Sequence, residues 1–166
     1  MTPQEILYRG IRMVLSPPGD APFRLDAQVF EEDTYLVLSA KTELREPEEH
    51  PLKIWTAVHE AEPKAPGTIH VTAGSPLRFL AIVHDLEQSP TWTEDWVSSA
   101  LDQVFLEAES RKLRGLALPP LGTLHGTLRP QRFTGLLRQA LDRAELYHLE
   151  RLWILAPPGD IPFVDA

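Results

Sequence analysis

The chain has 166 residues, 43% of them apolar, and a formal charge of −8, which fits one domain with its own core and excludes a general nucleic-acid binder, since that needs a basic footprint. No apolar run approaches the roughly 20 residues of a membrane helix, and the absence of cysteine excludes disulfides, thiolate metal sites and a cysteine nucleophile. The charge is uneven: residues 111–151 hold eight Arg or Lys against three Asp or Glu, so one region of an acidic protein could receive an anion or simply present solvated helix faces.

In chain order, MTPQEILYRG carries an acidic residue and no signal-peptide core, which is read as a cytoplasmic start. IRMVL and TYLVLSA are predicted strands. The stretch after them, KTELREPEEHPLKIWTAVHEAEPKAP, is proline-rich and acidic, with room for a short helix near Leu52–Ala61. GTIHVT (Gly67–Thr72) is a short strand and RFLAIVHDL (Arg78–Leu86) a buried one. Thr91 and Glu94 then stand at capping-box spacing. Trp96, Val97, Ala100, Leu101, Val104, Phe105 and Ala108 recur on one helical face, with Gly115 as the stop signal. Strand-like LALPPL, the loop GTLHGTLRP, a second amphipathic helix in QRFTGLLRQALDRAEL and the strand RLWIL complete the pattern. Alternating strands and helices with short links predict parallel strands and right-handed crossovers within one domain spanning residues 1–166.

Two phrases nearly coincide, LSPPGDAPF at Leu15–Phe23 and LAPPGDIPF at Leu155–Phe163. Pro-Pro-Gly-Asp is a natural turn: proline presets φ, glycine accepts a positive φ, and aspartate caps neighbouring N–H groups. The repeat is therefore read as one turn used twice. The loop Gly122, Thr123, Leu124, His125, Gly126 lies between a strand's carboxyl end and a helix N-terminus, where open parallel sheets bind ligands. Its glycines let backbone N–H groups approach phosphate oxygens, and Arg129 and Arg132 follow in the next turn. Taken alone, the same residues favour an ordinary strand–helix turn.

The ordered set GTIHVTAGSPLRFLAIVHDL, a helix and GLALPPLGTLHGTLRP resembles the macro domain, an ADP-ribose-binding module, over about residues 67–155. The resemblance and the element pattern together imply a three-layer α/β/α sandwich with a mixed, mostly parallel sheet. The resemblance further implies that Gly122–Gly126 holds phosphate, with Leu124 in place of the family's middle glycine. Gly19-Asp20-Ala21 follows the first predicted strand as the family's GDI does, which makes Asp20 a candidate acceptor for an adenine amino group.

Catalytically competent macro domains continue from their second strand as NAAN and a glycine-rich loop. Aligned on TYLVLSA, the asparagines fall at Leu38 and Lys41, and the glycine run is replaced by Glu43, Glu46, Glu48 and Glu49 among prolines. The resemblance thus implies loss of ADP-ribosyl hydrolase activity. No catalytic residue, metal or cofactor is assigned: the six histidines show no metal-ligand spacing, and the serines lack a nucleophile-elbow context. The leading expectation is a non-catalytic, macro-like module binding ADP-ribose or a related nucleotide-type anion, with Asp20, Gly122, Thr123, Leu124, His125 and Gly126 as ligand-binding candidates. The alternatives are a scaffold without nucleotide that acts through a protein partner, and an enzyme rebuilt around Lys41, His84 or His125. Neither nucleic acid nor a membrane is expected as a partner.

Overall fold

The computed structural model describes residues 3–38 and 63–157. Its strands are β1 (Gln4–Tyr8), β2 (Ile11–Ser16), β3 (Ala27–Asp33), β4 (Ile69–Thr72), β5 (Leu77–His84), β6 (Gly115–Leu118) and β7 (Arg151–Leu155), with helices α1 (Glu94–Ser110) and α2 (Pro130–Arg143). The strands form one sheet in the order β1-β2-β7-β6-β3-β5-β4. The inner pairs β2/β7, β7/β6, β6/β3 and β3/β5 are parallel, while β1 and β4 pair antiparallel at the two edges. The mixed, mostly parallel α/β sheet expected from the sequence is the one observed.

The register follows from side-chain alternation. Ala27 and Val29 of β3, Phe79, Ala81 and Val83 of β5, and Leu152 and Ile154 of β7 join one core with both helices, as period-two alternation directs. Helix α1 contributes Val97, Ala100, Leu101, Val104, Phe105 and Ala108, all fully buried, the face that the sequence spacing marks. Helix α2 contributes Phe133, Leu136, Leu137, Ala140 and Leu141. The opposite sheet face carries Val14, Ala117 and Trp153, with Phe23 and Leu25 packed on them.

Two local expectations need correction, and one element is added. Thr34–Leu38, the described part of TYLVLSA, do not form a strand: β3 is AQVFEED, and Thr34 and Tyr35 already form the turn after it. The polar end of β3 is stable because backbone N–H groups meet its carboxylates. Asp33 accepts from the N–H of Tyr35 (2.8 Å), Val37 and Leu38 (both 2.9 Å), and Glu32 accepts from Leu38 (2.9 Å). The helix cap is Thr93, whose side chain accepts from the Trp96 N–H, and not Thr91. Finally, the N-terminal segment adds β1, joined to β2 by Arg9 and Gly10, both at positive φ, the conformation of a two-residue hairpin turn. The helix expected near Leu52–Ala61 lies outside the described residues.

Candidate functional site

Strands β2, β7, β6 and β3 are neighbours, and the carboxyl ends of the first three with the middle of β3 open on a cleft of about 350 Å³, within the usual ~300–1,000 Å³ of small-molecule sites. Pro18 follows β2, Gln28 to Glu31 lie in the middle of β3, Pro119 follows β6, and Leu155 ends β7; Leu124 and His125 come from the loop after β6. The lining is mostly apolar. Its polar residues are Gln28, Glu31 and His125.

Glu31 organises the wall beneath the loop. Its carboxylate accepts from the backbone N–H of Gly122 and of His125 at 2.9 Å. His84 Nε2 reaches the same group at 2.8 Å, and both side chains are almost wholly sealed, at 1% and 2% exposure. An ionised carboxylate is buried only where donors replace its water, and here three converge. In the neutral imidazole, Nε2–H donates to Glu31 and Nδ1 accepts from the Thr91 hydroxyl, which lies 2.9 Å away. The His125 ring stands edge-on to that of His84, 6.3 Å between centroids.

The loop expected to cradle an outside phosphate therefore directs two of its N–H groups at the protein's own glutamate. Thr123 serves the turn itself, its N–H and hydroxyl both donating to the Pro120 carbonyl at 3.1 and 2.6 Å. Leu124 is exposed and lines the cleft. Gly126 is pressed against the Gly122 carbonyl and the Trp92 ring, where an added Cβ would meet each at 2.6 Å. Arg132, expected beside the phosphate, instead forms a two-pronged pair with Glu94, both bonds at 2.9 Å. Glu94 is held below the usual carboxylate range by that hydrogen bond.

Asp20 lies exposed in the turn after β2; that turn places Pro18 on the cleft. His84 does not pair with Asp85, whose carboxylate accepts from the Glu87 N–H and the Gln88 amide. With β3 placed at Ala27–Asp33, the strand end that should continue into NAAN reads Phe30-Glu31-Glu32-Asp33, and not a segment reaching Leu38 and Lys41. Lys41 and the acidic run Glu43–Glu49 lie outside the described residues, as does Asp160. Glu31 was missed in the sequence because its partners stand 91 and 94 positions away. The available signal was its place in the Ala27-Val29-Glu31 alternation, a charged residue on the core-facing side.

No protein-family model and no curated protein matches this sequence. The similarity lies in structure. The macrodomain of Oceanobacillus iheyensis, solved with ADP, aligns with a TM-score of 0.70 at 11% identity, over 98% of this chain and 92% of that one. The macrodomain of Thermus aquaticus DarG gives 0.61 at 18% identity, over 87% and 98%. That of Mycobacterium tuberculosis DarG gives 0.58 at 13%, over 87% and 98%. The fold of this chain is that of the macro domain, as the sequence resemblance implied. Among the described residues no helix is long and apolar enough to cross a membrane, and no group of three or more acidic or histidine side chains is placed to hold a metal ion.

Proposed function

We propose that this protein is a non-hydrolytic macro-fold module that binds ADP-ribose or a related nucleotide-type ligand, gripping its base and ribose rather than its phosphates. The observation that carries this reading is the cleft itself. It sits over the carboxyl ends of β2, β7 and β6 and the middle of β3, and is lined by Phe30, Leu124, Leu155 and prolines, with Gln28 to donate and accept at a heterocycle edge. A planar base gains from burial against such walls. The structural likeness to a macrodomain solved with ADP supports the ligand class. Absence of hydrolysis is supported by the strand end, where Glu31, Glu32 and Asp33 all accept backbone N–H groups and are poorly disposed to act as a general base.

The test is calorimetric titration with adenosine and with ADP-ribose, alongside incubation with a mono-ADP-ribosylated protein. Adenosine is expected to bind within about tenfold of ADP-ribose, and the modified protein to stay intact. ADP-ribose binding far tighter than adenosine, or turnover abolished by Lys41→Ala, overturns the proposal. A second reading, a scaffold that works through protein contacts, is favoured by a separate groove of about 660 Å³ between the ends of α1 and α2, flanked by exposed Leu106 and Tyr147. Its mark is silence with both ligands.

A further inference from the structure

The loop at Gly122–Gly126 already holds an anion, and that anion is part of the chain. We infer that Glu31 is the specificity-determining residue of the cleft: its carboxylate takes the place of a ligand phosphate and turns the loop against anions. The inference relies on the proposed function only for the identity of the ligand being selected.

The geometry is that of an internal ligand. The Gly122 N–H meets Oε1 of the Glu31 carboxylate, and the His125 N–H and the His84 ring share Oε2. An N–H group shared between two acceptors bonds each more weakly, so a phosphate oxygen gains the full bond only if Glu31 leaves. Were it to stay, two anions would face each other in a site screened from water, where repulsion is strong. The turn is also built around its occupant. Gly122 stands at φ +82°, its carbonyl accepts from the Leu128 N–H at 3.1 Å, and Gly126 is wedged between that carbonyl and Trp92. Of the three consecutive carboxylates Glu31 meets the loop, while Asp33 and Glu32 accept from the turn after β3. The cleft so arranged has the Gly122 and His125 N–H groups already taken and refuses phosphate there.

The experiment titrates the full chain with pyrophosphate and follows the Gly122 and His125 amide resonances. The wild type is expected to show no saturable shift at millimolar pyrophosphate. Glu31→Ala, confirmed as folded by a cooperative thermal transition, is expected to show saturable shifts at both amides and at least about tenfold tighter binding. Saturation at both amides in the wild type overturns the inference, as does a folded Glu31→Ala that stays silent. If Glu31→Ala does not fold, Glu31→Gln takes its place, because its single carbonyl oxygen must release one of the two N–H groups. A shift at one amide is then expected, and silence at both overturns the inference. Adenosine titrated into the same proteins separates the two proposals. Adenosine binding with a silent loop removes this inference alone, while pyrophosphate entering Glu31→Ala without any adenosine binding removes the cleft reading alone.

Discussion

Asp26 and Gly115 lock the starts of two neighbouring strands together. The Asp26 carboxylate accepts the N–H groups of Gly115 (3.0 Å) and Arg114 (2.8 Å), and the Gly115 carbonyl accepts the Asp26 N–H at 2.9 Å. Any side chain at Gly115 would run into the Arg24 carbonyl, so close approach of the chains here requires glycine. Burial alone would raise the Asp26 pKa. The two N–H donors, helped by Arg24 and Arg151, outweigh it and hold the group below the usual carboxylate range.

A pH dependence follows from that depression. A carboxylate with a lowered folded pKa adds stability that is present above its unfolded value and lost as pH falls through the folded one. Asp26→Asn is therefore expected to cost about 1–2 kcal/mol at neutral pH, with the gap to wild type closing below about pH 4. Urea denaturation at several pH values measures this. A gap that stays constant into acid would show that the carboxylate's charge contributes nothing.

Removing the ring that holds Glu31 should cost more than a surface change. His84→Ala leaves the buried carboxylate short of one donor and strands the Thr91 hydroxyl. A loss of about 1–3 kcal/mol is expected for the unsatisfied groups, plus a cavity contribution. The denaturation midpoint should fall with an unchanged slope, and an unchanged midpoint would mean that the network carries no net stability.

These two networks also show where the sequence was legible. The buried strand Leu77–His84 and the apolar face of α1 were found because hydrophobic periodicity is a local property, and both lie where the residues marked them. Strand β3 was missed because Glu31, Glu32 and Asp33 look like a solvated turn, while Tyr35, Val37 and Leu38 look like strand. What reverses that preference is a set of N–H donors from the following turn and from a loop about 90 residues on, which no local window contains. The displaced cap has a similar cause. Thr91 fits the capping spacing, but His84 claims its hydroxyl, and Thr93 caps the helix instead.

Gly126 is a structural position before it is a ligand position. An added Cβ would come within 2.6 Å of both the Gly122 carbonyl and the Trp92 ring, and neither is the loose end of a flexible side chain. Gly126→Ala is expected to destabilise the protein by about 1–3 kcal/mol, as overpacking typically does, and to shift Trp92 fluorescence. Gly126→Val should be worse, so a loss of binding in that variant would not report on the loop's donors. A fully stable Gly126→Ala would mean that the loop can move away from Trp92.

The Pro-Pro-Gly-Asp turn gives the last prediction. Asp20 is exposed and the cleft receives Pro18 from the same turn. Turn chemistry accounts for the aspartate, since asparagine makes most of the same hydrogen bonds to neighbouring N–H groups. Asp20→Asn is therefore expected to change stability by less than about 0.5 kcal/mol, as surface substitutions usually do, and to leave adenosine affinity unaltered. Asp160→Asn, in the second copy of the phrase, serves as the matched control because the flanking residues are nearly the same. An affinity loss of about tenfold or more confined to Asp20→Asn, with the stability of both variants equal, would place Asp20 at the base and make the first copy of the phrase functional. Equal behaviour of the two variants leaves one turn, built twice.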